Sequence, residues 1–187
     1  EFYPQPAALP EVEPASLQED LSRRDFTVNT MAIDLNPDSF GNLIDFFGGQ
    51  LDLEQRKVRV LREDSFIQDP TRVFRAVRFE QRYGFSLEER TARLIEEALR
   101  SKALSRLSGE RIREELIQIL EEDKPGKVIH RMQELGVLET VHPKLQLTVE
   151  KERKLDYLVD IFARFQVLFP REVKRWLIRL LLILDDM

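Results

Sequence analysis

The sequence predicts an α+β chain in which a short strand-bearing segment precedes a long helical run. Between Asp20 and Leu61, short apolar or alternating stretches are separated by turn signals. After Arg62 the apolar residues recur every three or four positions, and Gly84, Gly109, Gly126 and Gly136 are the only glycines in that part of the chain. At 187 residues there is room for one ordinary domain or two small ones.

In chain order, residues 1–19 carry Pro4, Pro6, Pro10 and Pro14 among acids and read as an extended surface loop. A short helix follows, then two or three strands at Met31–Leu35, Asn42–Phe47 and Lys57–Leu61, divided by Asn36-Pro-Asp and by Gly48-Gly49. Helices are expected over 70–83, 87–99, 109–122, 125–135, 150–168 and 171–185. Asp69-Pro70 reads as an N-cap before a proline in the first helical position, and Ser86 with Glu89 as a capping box. Ser108 reads as a cap without a box, since Arg111 stands three residues on. The closing run Trp176–Leu184 is nine residues interrupted by Arg179, too short to span a bilayer. It reads as a core helix with Trp176, Leu177, Leu180 and Leu184 as its buried stripe. The sequence opens on Glu and is still apolar at Leu184, so a piece of a longer protein is expected.

Composition removes several function classes. Lys plus Arg is 29 against 34 Asp plus Glu, a net charge of −5, so nucleic acid is not held by overall positive charge and any anion site must be local. Without cysteine there is no disulfide framework, thiolate metal site or Cys nucleophile, and two histidines are too few for a His-based zinc site. His130 and His142 read as packing or surface residues, and cytoplasmic residence is the expectation.

Three segments carry candidate chemistry. In Asp20-Leu-Ser-Arg-Arg-Asp-Phe-Thr-Val-Asn29, Arg23 and Arg24 supply forked donors suited to phosphate oxygens, while Asp25 and Asn29 share a face if the segment is helical. A solvated Arg–Asp pair beside a buried Phe26 and Met31 is the alternative. In the segment from Gln68 to Phe85, Arg72, Arg75 and Arg78 form a cationic ridge joined by Arg82, with Val73, Phe74 and Val77 opposite and Ala76, Phe79 and Tyr83 flanking it. Asp69, three residues before Arg72, sets a carboxylate acceptor beside a guanidinium donor, a pattern able to read a nucleobase edge. Equally, it caps the helix and pairs with Arg72 structurally. Around Gly48-Gly49, Asp45 and Asp52 read as structural turn acids rather than metal ligands. Arginines between 90 and 113 are interleaved with glutamates and suit either an RNA backbone or a charged helix surface.

Taken together and in order, Asp20-Leu-x-Arg-Arg-Asp-Phe-Thr-x-Asn29, Asp45-x-x-Gly-Gly-x-x-Asp-Leu53, Asp69-Pro-x-Arg-x-x-Arg-Ala-x-Arg-Phe79 and the trailing Tyr-Gly-Phe85 resemble the bacterial (class II) tRNA nucleotidyltransferase and poly(A) polymerase family. The resemblance covers residues 1–122. It implies the C-terminal remnant of a nucleotidyltransferase α/β head over 1–61, a helical neck with the nucleotide-selecting motif over 62–122, and the start of a helical body on the RNA-binding side over 123–187.

It also implies addition of AMP, with CMP as a second candidate, to the 3′ end of tRNA. ATP and CTP are then the small-molecule partners, and no membrane is involved. Arg24 is assigned to the triphosphate, Asp25 and Asn29 to the ribose side, Asp69 and Arg72 to the base edge, and Arg75 and Arg78 to support of the nucleotide and its phosphates. The family's Gly-Gly-x-Val-Arg-Asp and Asp-x-Asp elements do not occur in this sequence. The Mg²⁺ ligands and the catalytic residues are therefore expected in an N-terminal segment outside it, and the chain alone is expected to catalyse nothing. Gln68 stands where many members have Glu, and the Phe79–Phe85 continuation resembles A-adding members. Two other readings remain: a non-catalytic RNA-binding helical module, and a structural protein-interaction domain whose arginine ridge serves a protein partner.

Overall fold

A computed structural model describes residues 14–168 and 173–185. One compact unit ends at Arg106 and a second begins at Leu107.

In the first unit, the Ser16 hydroxyl accepts from the Glu19 amide while the Glu19 carboxylate accepts from the Ser16 amide. This capping box starts α1 (Leu17–Ser22). The extended loop expected over 1–19 is corrected accordingly: the Ser-x-x-Glu signal follows the last proline, and the chain is helical from Leu17. Residues 1–13 of that expectation lie outside the described residues.

The expected strands are reduced to two-residue pairs. β1 (Ala32–Ile33) and β2 (Leu43–Ile44) form an antiparallel hairpin with Ala32 opposite Ile44. Next come α2 (Gly49–Glu54) and β3 (Lys57–Val58), then α3 (Ser65–Gln68). Helices as short as α2 and α3 leave no periodic pattern to read, which is why the sequence does not announce them.

The two glycines before α2 have separate reasons. Gly48 sits at φ 77°, in the left-handed region. A Cβ on Gly49 would stand 2.4 Å from the Thr27 carbonyl oxygen, so the helix start presses against the backbone of residue 27.

α4 (Thr71–Tyr83) ends at Gly84 with φ 63°. Its start departs by one residue from the expected one. Pro70 precedes the first helical residue and Asp69 is extended, yet Asp69 Oδ1 still accepts from the Thr71 amide (3.2 Å) and hydroxyl (2.6 Å). The capping box expected at Ser86 and Glu89 is overturned. Ser86 belongs to β4 (Ser86–Leu87), which runs parallel to β3, and its amide donates to the Arg56 carbonyl. Glu88 instead accepts from the Thr91 amide and starts α5 (Glu89–Arg100), so strand pairing has taken the residue that the local pattern offered as a cap. A 3₁₀ turn at Ala103–Arg106 follows. Phe26, Phe66, Val73, Phe74, Val77 and Ile95 are fully enclosed and form the core of this unit.

The second unit is helical throughout its described elements. Ser108 caps α6 (Gly109–Glu121) through the Arg111 amide, as the sequence suggests, and Pro125 opens α7 (Pro125–Glu134). α8 (Val137–Val141), α9 (Val149–Leu168) and α10 (Arg175–Leu184) complete it around Ile119, Met132, Leu138 and Leu155.

The stripe expected on the last helix is corrected. Leu177 and Leu184 are exposed, whereas Arg179 and Ile183 are buried. Arg179 Nη1 donates to the Leu120 carbonyl and to that of Glu122 (3.0 Å), satisfying the end of α6, and this cap turns the charged side of α10 inward. His130 is half-exposed between Glu134 (3.4 Å) and Glu152 (3.6 Å), and His142 is exposed.

Candidate functional site

Leaving α1, residues 23–30 turn through a short 3₁₀ helix at Thr27–Asn29 and lie against α4. Phe26 anchors this segment. It is fully buried, bridges to Val60, and meets the Phe79 ring edge-on with centroids 5.6 Å apart. Thr27 ties it to α2: its hydroxyl donates to Asp52 Oδ2 (2.6 Å), and Asp52 also accepts from Arg59 Nε. The hydrogen bond that Arg59 donates to Asp52 raises the Arg59 pKa above its usual value, against a smaller opposing effect of burial. Asp45 accepts from the amides of Phe47, Gly49 and Gln50 at the start of α2. Both acids of the Gly-Gly turn thus have structural work, as their setting in the sequence suggests.

Asp25 is the hub. Its Oδ1 accepts from the Phe26 amide (2.9 Å) and from Asn29 Nδ2 (2.8 Å), so the two polar residues do share a face although the turn between them is not α-helical. Its Oδ2 accepts from Arg75 Nε at 2.6 Å and lies 2.6 Å from Nη2. Arg72 makes the second tie: Nη2 donates to the Arg23 carbonyl (2.9 Å) and Nη1 to the Ser65 hydroxyl (2.6 Å). Asp69 Oδ2 stands 4.0 Å from Arg72 Nε. The Asp69 carboxylate and the Arg72 guanidinium therefore lie side by side, both buried, while Asp69 also holds the start of α4. The two readings of this pair are compatible.

The arginine ridge is not a solvated face. Arg72 and Arg78 are each only 7% exposed, and the guanidinium groups of Arg75 and Arg78 lie 5.6 and 5.3 Å from the Phe79 ring centroid. Burying such charges is costly unless they are paired; a carbonyl and a hydroxyl accept from Arg72, and Asp25 accepts from the half-buried Arg75.

Arg24 stands apart from this cluster: its side chain is 49% exposed and pairs with Asp20 (3.1 Å). Arg82 is exposed beyond the far end of the ridge. Arg90, Arg93 and Arg113 face solvent and each pairs with a glutamate. Ser65, the Arg23 carbonyl and the Thr27–Asp52–Arg59 chain are the parts that sequence reasoning missed. A carbonyl has no residue-type signature, and Ser65 meets Arg72 only because Pro70 and the break after α3 fold the chain back.

Among the described residues no group of three or more His, Cys, Asp or Glu could hold a metal ion, so the described residues do not fit the Mg²⁺ that the resemblance implies. No helix among them is long and apolar enough to cross a membrane.

Family profiles match at two places: the poly A polymerase head domain over residues 1–59, and a probable RNA and SrmB-binding site of polymerase A over residues 84–147. The A-adding tRNA nucleotidyltransferase of Geobacter sulfurreducens is 46% identical over 179 residues, 95% of this chain and 20% of that protein. A CCA-adding enzyme in its apo form II superposes with a TM-score of 0.87 at 45% identity, covering 100% of this chain and 44% of the other. A complex of a CCA-adding enzyme with ATP gives a TM-score of 0.80 at 44% identity over 91% of this chain and 41% of that one.

A segment similar to the poly A polymerase head domain, followed by a helical segment similar to the probable RNA-binding site of polymerase A, is the class these features define. The chain belongs to the tRNA nucleotidyltransferase and poly(A) polymerase family. It spans about a fifth of the Geobacter relative and less than half of the structurally matched enzymes.

Proposed function

We propose that this chain selects the nucleotide and grips the RNA within a cytoplasmic enzyme that adds AMP, with CMP as a second candidate, to the 3′ end of tRNA. In that reaction the tRNA 3′-oxygen bonds to the α-phosphorus of the nucleoside triphosphate, and pyrophosphate leaves. Mg²⁺ and the catalytic carboxylates belong to residues other than these. Residues 1–61 serve as the end of the head, 62–122 as the neck and 123–187 as the start of the RNA-binding body.

The observation that carries the reading is the buried Asp69–Arg72 pair, tied through Arg72 and Arg75 to residues 23–25. Adenine and cytosine each present an exocyclic amine donor beside a ring-nitrogen acceptor, which a carboxylate acceptor beside a guanidinium donor matches. Guanine and uracil present a carbonyl and a ring N–H there instead, and meet the pair with like against like. Asp25 and Asn29 face the ribose side and hold each other in place. Arg24, exposed and loosely paired, is able to swing to a triphosphate. Arg75 and Arg78 keep positive charge behind the nucleotide.

Titrating the intact protein that carries this chain with ATP and with GTP tests the reading. Asp69→Ala is expected to reduce the preference for ATP by about 5- to 150-fold. An unchanged preference overturns base selection at Asp69. In that case, RNA affinity that falls with salt supports the non-catalytic RNA-binding module, and RNA affinity indifferent to salt supports the protein-interaction domain.

A further inference from the structure

Resting on that reading, we infer that Ser65 is a positioning residue for nucleotide selection: its hydroxyl, with the Arg23 carbonyl, fixes the orientation of the Arg72 fork. Ser65 is 1% exposed and accepts from Arg72 Nη1 at 2.6 Å, while the Arg23 carbonyl accepts from Nη2 at 2.9 Å. Two acceptors from different segments, one on each terminal nitrogen, define both the plane and the rotation of a planar group. A group that reads a base edge needs this, since selection decays when the donors drift by more than about 0.5 Å or 10–20°.

Gln68 has a different occupation. Its amide donates to Asp64 Oδ2, and Asp64 in turn accepts from Arg62 Nε and Nη2. Gln68 and Asp64 thus fasten the two ends of α3 to each other, and this helix presents Ser65 to Arg72. The backbone agrees: the Asp69 amide donates to the Ser65 carbonyl (3.0 Å), so Ser65 sets the position of the carboxylate-bearing residue as well as that of the guanidinium. One serine thereby touches both halves of the base-reading pair, through its carbonyl on one side and its hydroxyl on the other.

The test compares Ser65→Ala, Ser65→Cys and Ser65→Thr with Asp69→Ala in the intact protein, measuring ATP and GTP binding and, for the assembled reaction, kcat and KM for each. Ser65→Ala strands a buried N–H, and Ser65→Cys offers a weaker acceptor of similar size. Each is expected to lower the ATP-over-GTP preference by about tenfold, through KM rather than kcat; Ser65→Ala also lowers Tm by a few degrees, while Ser65→Cys stays nearer the parent. Ser65→Thr keeps the hydroxyl and is expected to restore the preference. Equal weakening of ATP and GTP binding by Ser65→Cys, or no change in their ratio while Asp69→Ala does change it, overturns the positioning role and leaves the reading of the site standing. A ratio unmoved by Asp69→Ala overturns both.

Discussion

Each compact unit buries an arginine whose guanidinium donates to backbone carbonyls, but the surroundings differ. Arg179 in the second unit caps the carbonyls of Leu120 and Glu122 at the end of α6 and lies 5.5 Å from the Phe162 ring centroid. It closes a helix. Arg72 in the first unit shares its fork between a carbonyl and a hydroxyl, stands beside Asp69, and has the Asp25–Arg75 ion pair one turn along the same helix. A buried arginine by itself therefore marks no site. Both arginines join segments distant in the chain, 49 residues apart for Arg72 and 57 to 59 for Arg179. What distinguishes the first unit is that carboxylates stand beside the arginines of α4, Asp69 beside Arg72 and Asp25 on Arg75, whereas Arg179 donates to the carbonyls of one helix end.

That contrast predicts that the units respond to different kinds of substitution. Asp25→Asn preserves shape and removes charge, and is expected to destabilise the first unit by about 3 kcal/mol, since one partner of a mostly buried pair is lost. Leu155→Met in the second unit preserves approximate volume and should cost less than about 1.5 kcal/mol. Denaturant melts of the two variants check this, and equal losses would break the comparison.

Gly49→Ala comes next, at about 2 kcal/mol, because the added methyl meets the Thr27 carbonyl and pushes the 27–29 turn off α2. Its melting temperature should fall, and ATP binding by the intact protein should weaken with it. A fully stable variant would show that the close approach is relieved without moving the turn.

The smallest effect concerns Asp45. Burial raises its pKa, but the amides of Gln50, Gly49, Phe47 and Gly48 outweigh that and hold it below the ordinary carboxylate value. A carboxyl with a lowered folded-state pKa contributes stability above its unfolded value and loses that contribution as pH falls through the folded one. Asp45→Ala is accordingly expected to cost about 1 kcal/mol near neutrality. The gap between variant and parent should begin to close as the pH falls below the ordinary aspartate value of about 4 and go on closing as it falls through the lowered folded one. A gap independent of pH would assign the loss to something other than the carboxylate.

The long helices were legible because periodicity survives in any amphipathic element of about three turns or more: the expected 109–122 and 125–135 differ from α6 and α7 by one residue each at the C-terminal end. The cap at Ser108 was legible too, being a contact between residues three apart. The Ser86 cap was misread because a parallel strand thirty residues upstream claims its amide, and the stripe on α10 because Arg179 turns inward to cap another helix. Among the candidate residues, Asp25 and Asn29 could be paired from their spacing, and Asp69 with Arg72 likewise.

By itself, then, the sequence determined the order of the long helices, the cap at Ser108 and the pairing of Asp25 with Asn29 and of Asp69 with Arg72, because each follows from groups within about one helical turn of one another. Only the tertiary structure decided that Arg75 closes on Asp25, that Arg72 divides its fork between Ser65 and a carbonyl, and that Arg72 and Arg78 of the cationic ridge are buried. Those outcomes depend on which distant segment supplies the acceptor for a desolvated charge, and spacing along the chain does not encode that choice.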